Sequence, residues 1–109
     1  MRSTITAASA AACLALLPAL AAAQAPAPEA ARAAQYLAAN CANCHGTTGQ
    51  AKGAMPSLAG LPRATIIEQM KAFRDGKRPG TIMPQLAKGY TDQQIELAAD
   101  YFSRQPAAR

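Results

Sequence analysis

The chain has 109 residues, with 11 Lys and Arg against 6 Asp and Glu and a formal net charge of +5, which suits a single small domain. Half of the residues are apolar, but alanine dominates that half, and the aromatic side chains are two Phe and three Tyr with no Trp. Such a composition excludes a large close-packed core, and so modest a charge without an aromatic stacking platform excludes nucleic acid as the expected partner.

Residues 1–23 read as a secretory signal peptide. Arg2 precedes an apolar run from Ile5 to Leu20, and the small residues Ala21 and Ala23 place cleavage near Gln24. The alternative is a retained membrane anchor. Against it, the run is short for ~30 Å of hydrocarbon, Pro18 interrupts it, and no basic stop-transfer cluster follows. Cys13 invites a lipid-attachment reading, but Ala10 stands where a leucine is usually wanted, and Cys13 reads as leader filler. The expectation is an exported, periplasmic protein with no membrane anchor in its mature chain.

Residues 24–28, rich in Pro and Ala, are expected to form a flexible arm before a folded domain at 29–109. The stretch from Glu29 to Asn40 is rich in strong helix formers, has an acid in its first turn, and aligns Ala33, Leu37 and Cys41 on one face. Gly46 to Pro62 holds too many Gly and Pro residues for a regular element and reads as a wrapped loop. Ala64 to Asp75 carries Ile66, Met70 and Phe73 at helical spacing, with Gly76 as a C-cap candidate. Lys77 to Tyr90, punctuated by Pro79, Gly80, Pro84 and Gly89, reads as a second loop. Thr91-Asp92-Gln93-Gln94 is a capping box that starts a third main helix, with Ile95, Ala98 or Ala99, and Phe102 as its apolar stripe and Pro106 beyond its end. The fold class expected is all-α.

Cys41-Ala42-Asn43-Cys44-His45 carries the chemistry. A CxxCH run is the attachment motif of a c-type haem: two thiols three residues apart can each add to a vinyl group of the porphyrin, and the adjacent imidazole reaches the iron. A thioredoxin-like redox pair would need a βαβ setting, and no strand pattern is present. A closed zinc site would need four ligands, and no further Cys or His remains outside the leader. A disulfide across so short a loop would remove little unfolded-state entropy. One covalent haem c would also supply what so small an apolar core lacks.

Three methionines could give the sixth iron ligand. Met70 lies in a helical stripe and reads as core filler, and Met55 lies in a loop expected on the histidine side of the ring. Met83 has a whole helix between it and His45, enough chain to round the ring, and is the expected ligand. With both axial positions filled, the iron would exchange electrons and bind no substrate. The second imidazole nitrogen needs an acceptor, for which the Pro56 carbonyl is a candidate; the alternative is a simple turn proline. Lys71, Arg74, Lys77, Arg78 and Lys88 gather around the second helix and the Met83 loop, either as a basic rim that docks an acidic partner or as an ordinary solvated helix end.

Taken together, a first helix ending in CxxCH, a Gly/Pro loop, a middle helix, a methionine loop and a capped last helix resemble the class I cytochromes c. The resemblance is closest to the haem subunit of flavocytochrome c sulfide dehydrogenase. It is carried by Cys41 to Gly46, Pro56 to Gly60, Arg78-Pro79-Gly80-Thr81-Ile82-Met83, and Ala87-Lys88-Gly89-Tyr90-Thr91-Asp92. It implies a small fold of three main helices around one haem, and a flavoprotein subunit that oxidises sulfide and hands over single electrons. The chain itself would then be the non-catalytic haem subunit; a free soluble carrier serving respiratory complexes is the alternative. Class I relatives often carry an aromatic where Leu37 stands, so Tyr101 and Phe102 are expected to supply that contact.

Overall fold

A computed structural model describes residues 27–109. The expected signal peptide, Cys13 and most of the expected arm at 24–28 lie outside the described residues.

The first helix, α1, runs Pro28–His45. It starts one residue earlier than the composition suggests, because proline is tolerated at the first helical position, where no amide hydrogen bond is lost. It also continues past Asn40 through the whole CxxCH run, since no Gly or Pro interrupts it before Gly46. The second helix, α2, spans Arg63–Arg74, within one residue of expectation, and Gly76 follows it in the left-handed region. Met83–Ala87 forms a short helix, α3, inside the segment expected to be loop. Pro84 misleads there: in a first turn it costs no helical hydrogen bond. The last helix, α4, spans Asp92–Ser103, and its capping box is complete. The Gln94 amide donates to Thr91 Oγ1 at 3.2 Å and the Thr91 amide to Gln94 Oε1 at 3.0 Å. The described residues are all-helical, with three main helices and one of a single turn.

Helix α4 is the hub, packing against α1 on one side and α2 on the other, while α3 packs on α2. The junction is a cluster of Ala38, Ile66, Ala99 and Phe102, with Cys41, Met70 and Tyr101 around it. The buried line on α1 passes through Ala34 and Ala38, not through Ala33 and Leu37, which are half-buried. On a helix this rich in alanine every face is apolar enough to pack, so the partner helix chooses the face that permits closest approach. Phe102 supplies the buried aromatic contact, with the Tyr101 ring edge-on to it at 5.1 Å between centroids.

The loop from 46 to 62 is drawn over α4 by backbone hydrogen bonds. The Leu58 and Ala59 amides donate to the Gly49 carbonyl at 2.8 and 3.1 Å, and the Gly60 amide to the Phe102 carbonyl at 2.9 Å. Gly49 is required at its position: its φ is +82°, and a Cβ there would lie 2.7 Å from the Phe102 ring.

Asp92 joins α4 to the end of α2, receiving Lys71 Nζ at 2.9 Å and Arg74 Nη1 at 2.7 Å. Hydrogen bonds from Lys71 and then Arg74 hold its carboxyl below the usual carboxylate range. A depressed carboxylate stabilises the fold above its unfolded pKa, and that contribution disappears as pH falls through the lower folded value. Asp92→Asn should therefore lower stability at neutral pH and flatten the loss of stability on acidification below about pH 4, as read from denaturant midpoints across a pH series.

Candidate functional site

A cavity of about 340 Å³ opens between the helices and receives side chains from all four. Its wall is mainly apolar: Ile66, Met70 and Phe73 come from α2, Ile95 and Phe102 from α4, and Leu86 from α3. The size and lining are those of a site for an organic ligand.

The end of α1 delivers Cys41, Cys44 and His45 to this cavity. Continuous helix through the motif places the two thiols one turn apart, on the same side. Both are free; Cys41 is half-buried and Cys44 exposed. Burial pushes the Cys41 thiol up from its ordinary value, with a backbone hydrogen bond opposing it, so Cys41 rests in its neutral form at pH 7.

His45 is the buried polar residue of the described chain, 9% exposed. Its Nδ1 lies 2.6 Å from the Pro56 carbonyl oxygen. A carbonyl only accepts, so Nδ1 carries the proton and donates it, and in the neutral ring Nε2 keeps its lone pair. The hydrogen bond that fixes a metal-binding imidazole is thus already made. The loop that presents Pro56 is closed in turn by the Ala51 amide donating to Ser57 Oγ at 3.0 Å. Ser57 had no signal in the sequence beyond its place beside Pro56.

All three candidate methionines line the cavity. Met55 is next to Pro56 and therefore belongs to the loop already bonded to His45; it is 41% exposed. Met70 packs against the central cluster. Met83 is half-buried at the first position of α3.

The five basic residues have different surroundings. Lys71 and Arg74 are engaged with Asp92, and Arg74 also bonds the Tyr90 carbonyl at 3.3 Å. Arg78 lines the cavity, its guanidinium carbon 4.7 Å from the centre of the Phe73 ring. Lys77 and Lys88 are exposed, with Lys88 reaching Gln85 at 3.5 Å. The mouth also carries Ile82 and Leu86, 59% and 49% exposed, which the sequence offered only as neighbours of Met83.

The donor set fits a covalently bound haem: two thiols on one helical side, an imidazole with one nitrogen engaged and the other free, thioethers, and an apolar enclosure. It does not fit zinc, since among the described residues no three His, Cys, Asp or Glu side chains converge on a metal position.

Residues 20–102 match the family described as cytochrome c oxidase, cbb3-type, subunit III. The chain belongs to this cytochrome c family. The cytochrome is 40% identical over 58 residues to the cytochrome subunit of sulfide dehydrogenase of Chlorobaculum tepidum, covering 53% of each chain. It is 36% identical over 62 residues to the thiosulfate dehydrogenase electron acceptor of Thiomonas intermedia, covering 55% of this chain and 29% of that one. In structure it resembles a cytochrome c4 of Acidithiobacillus ferrooxidans, with a TM-score of 0.64 and 34% identity over 68% of this chain and 49% of the other. The cytochrome therefore matches about half the length of these relatives or less. Its fold is that of the class I cytochromes c, and its family implies covalent haem c and electron transfer. Among the described residues no helix is long and apolar enough to cross a membrane.

Ser57→Ala should leave the Ala51 amide without its acceptor and loosen the Pro56 turn, costing about 1 kcal/mol. The expected readouts are a lower denaturant midpoint and faster exchange of the His45 Nδ1 proton by NMR.

Proposed function

We propose that this cytochrome carries one haem c, attached through Cys41 and Cys44, and works in the periplasm as a one-electron carrier that accepts electrons from a sulfide-oxidising flavoprotein. The observation that supports the haem site most is the His45–Pro56 hydrogen bond, which leaves Nε2 with its lone pair on a residue that lines the same cavity as both thiols. When bound, the haem supplies a ferric/ferrous couple. His45 would hold the haem iron through Nε2, with Pro56 keeping its ring from turning. Met83 would supply the second protein ligand to the iron, since Met55 is on the loop bonded to His45 and Met70 packs against the core. A thioether ligand would favour the ferrous state and leave the iron no open position for substrate.

The sulfide connection rests on the similarity to a cytochrome subunit of sulfide dehydrogenase. A second reading, a free carrier serving other oxidising enzymes, is favoured by the similarity to an electron acceptor of thiosulfate dehydrogenase. In either role the partner meets the cavity mouth, where Ile82, Leu86 and Met55 are exposed and Lys77, Arg78 and Lys88 supply exposed charge nearby.

Protein isolated from its native periplasm should exceed its polypeptide mass by one haem and keep its colour through acid-acetone extraction; colour lost to the solvent removes the covalent haem. Met83→Ala should lower the reduction potential, abolish the near-infrared methionine-iron band and allow stoichiometric carbon monoxide binding. Unchanged spectra would move the ligand role to Met55 or Met70. A flavin-containing chain that co-purifies identifies the sulfide-oxidising assembly, whereas a monomeric, flavin-free isolate identifies the free carrier.

A further inference from the structure

The loop that presents Pro56 to His45 is fastened to the end of α4 and to the tail that follows it. Tyr101 Oη donates to the Thr47 carbonyl at 3.3 Å, the Gly60 amide to the Phe102 carbonyl at 2.9 Å, and Gln50 Nε2 to the Pro106 carbonyl at 3.0 Å. The last of these acceptors lies beyond the helix. The tail lies so close to the loop that a Cβ on Gly60 would stand 2.8 Å from the Cβ of Ala107 and 2.9 Å from its Cα. With a φ of +72°, glycine suits both the turn and the approach.

Gln50 is exposed, and an exposed hydrogen bond between surface segments ordinarily adds little beyond its own net worth. The neighbours of Gln50 give this one a direction. Ala51, next in sequence, donates its amide to Ser57 Oγ at 3.0 Å, and Pro56, adjacent to Ser57, accepts from His45 Nδ1 at 2.6 Å. A short network therefore runs from the tail to the imidazole, from Pro106 to Gln50, from Ala51 to Ser57, and from Pro56 to His45. Its first hydrogen bond joins residues 56 apart in sequence, so it ties the network to a part of the fold outside the loop.

We propose that Gln50 is a positioning residue for His45: by tying Ala51 to the tail after α4, it keeps Ser57 and Pro56 where the Pro56 carbonyl can hold the imidazole. The inference rests on the haem reading above, because the ring it steadies is the one assigned to the iron. A carbonyl that holds Nδ1 closely raises the basicity of the ring at Nε2. Loosening that carbonyl opens the Nδ1 proton to solvent and weakens donation from Nε2. The more highly charged ferric state loses most by this, so the potential rises. A residue that merely stabilised the surface would lower the denaturant midpoint and leave the histidine as it was.

The test is the exchange rate of the His45 Nδ1 proton by NMR in the reduced holo-cytochrome, together with its midpoint potential. The proteins compared are the wild type, Gln50→Ala, Gly60→Ala, the two combined, and Gln105→Ala. Gln105 donates to the Tyr101 carbonyl at 3.0 Å and so bonds the end of α4 without touching the network, which makes it the control for a purely structural tail contact. Gln50→Ala should speed exchange about fivefold, as expected when one hydrogen bond no longer opposes local opening, and should raise the potential. Gly60→Ala should push Ala107, and Pro106 beside it, off the loop and speed exchange as well. In that background Gln50→Ala should add little, because its acceptor has already moved away. Gln105→Ala should keep the wild-type exchange rate and potential. Exchange in Gln50→Ala that matches the wild type, or a potential that falls, overturns the proposal. So does full addition of the two effects in the combined variant, because Gln50 then acts through something other than the tail, and so does equal acceleration in Gln105→Ala. If instead the wild-type protein holds no covalent haem, the functional reading fails, which is seen before any variant is compared.

Discussion

How closely α1 can approach α4 decides where everything else in this cytochrome sits. The two helices meet through Ala38 and Ala99, which are 2% and 0% exposed, and alanine permits a closer crossing than any longer side chain would. Phe102 fills the space that this crossing leaves, beneath Gly49 and against Ala38 and Ile66. Because α1 is one unbroken helix from Pro28 to His45, fixing it at Ala38 also fixes the direction in which Cys41, Cys44 and His45 leave the packed region. The motif is positioned by a contact one turn before it.

The packed region is small. Ile95 and Phe102 are the largest fully buried side chains, and both also line the cavity, so the core and the site share a wall. A chain with so few large apolar groups buries little surface by itself, and a ligand that binds only the folded form adds its binding free energy to stability. Folding and haem attachment are coupled on this reading, and the alanine-rich composition follows from it: helices that wrap a large rigid ring need thin sides where they touch one another.

Much of this was legible in the sequence wherever a local rule decided the outcome. The Thr91 to Gln94 capping box, the Ile66, Met70 and Phe73 stripe, and the helix leading into CxxCH each depend on residues within a few positions of one another, and the structure has them all. The course of α1 to His45 was legible as well, since helix propensity persists to Gly46 and the motif is expected to end the first helix. Helix α3 was hidden because Pro84 signals a loop everywhere except in a first turn. The buried register of α1 was hidden because alanine marks no face. Least legible were the partners of the cations, since Asp92 reaches back across sequence to Lys71 and Arg74, and nothing local says that Arg78, exposed like Lys77 beside it, also borders the cavity.

On the proposed role, the engagement of Lys71 and Arg74 with Asp92 bears on how the molecule would meet a redox partner. Lys71 and Arg74 act within the fold, holding the end of α2 to the start of α4, and Arg74 also reaches the Tyr90 carbonyl where the α3 segment ends. The segment that carries Met83 is thereby fastened at both sides, by Ala72 through the backbone of Lys77 and Arg78 and by Arg74 through Tyr90. A carrier gains from such fastening, because an electron moves with little rearrangement only if the groups around the redox centre are the same before and after. On the proposed role, the surface offered to a partner is a small apolar mouth with Lys77, Arg78 and Lys88 exposed beside it. Small contacts are typical of short-lived redox encounters, and a face that docks weakly releases its partner as soon as the electron has passed.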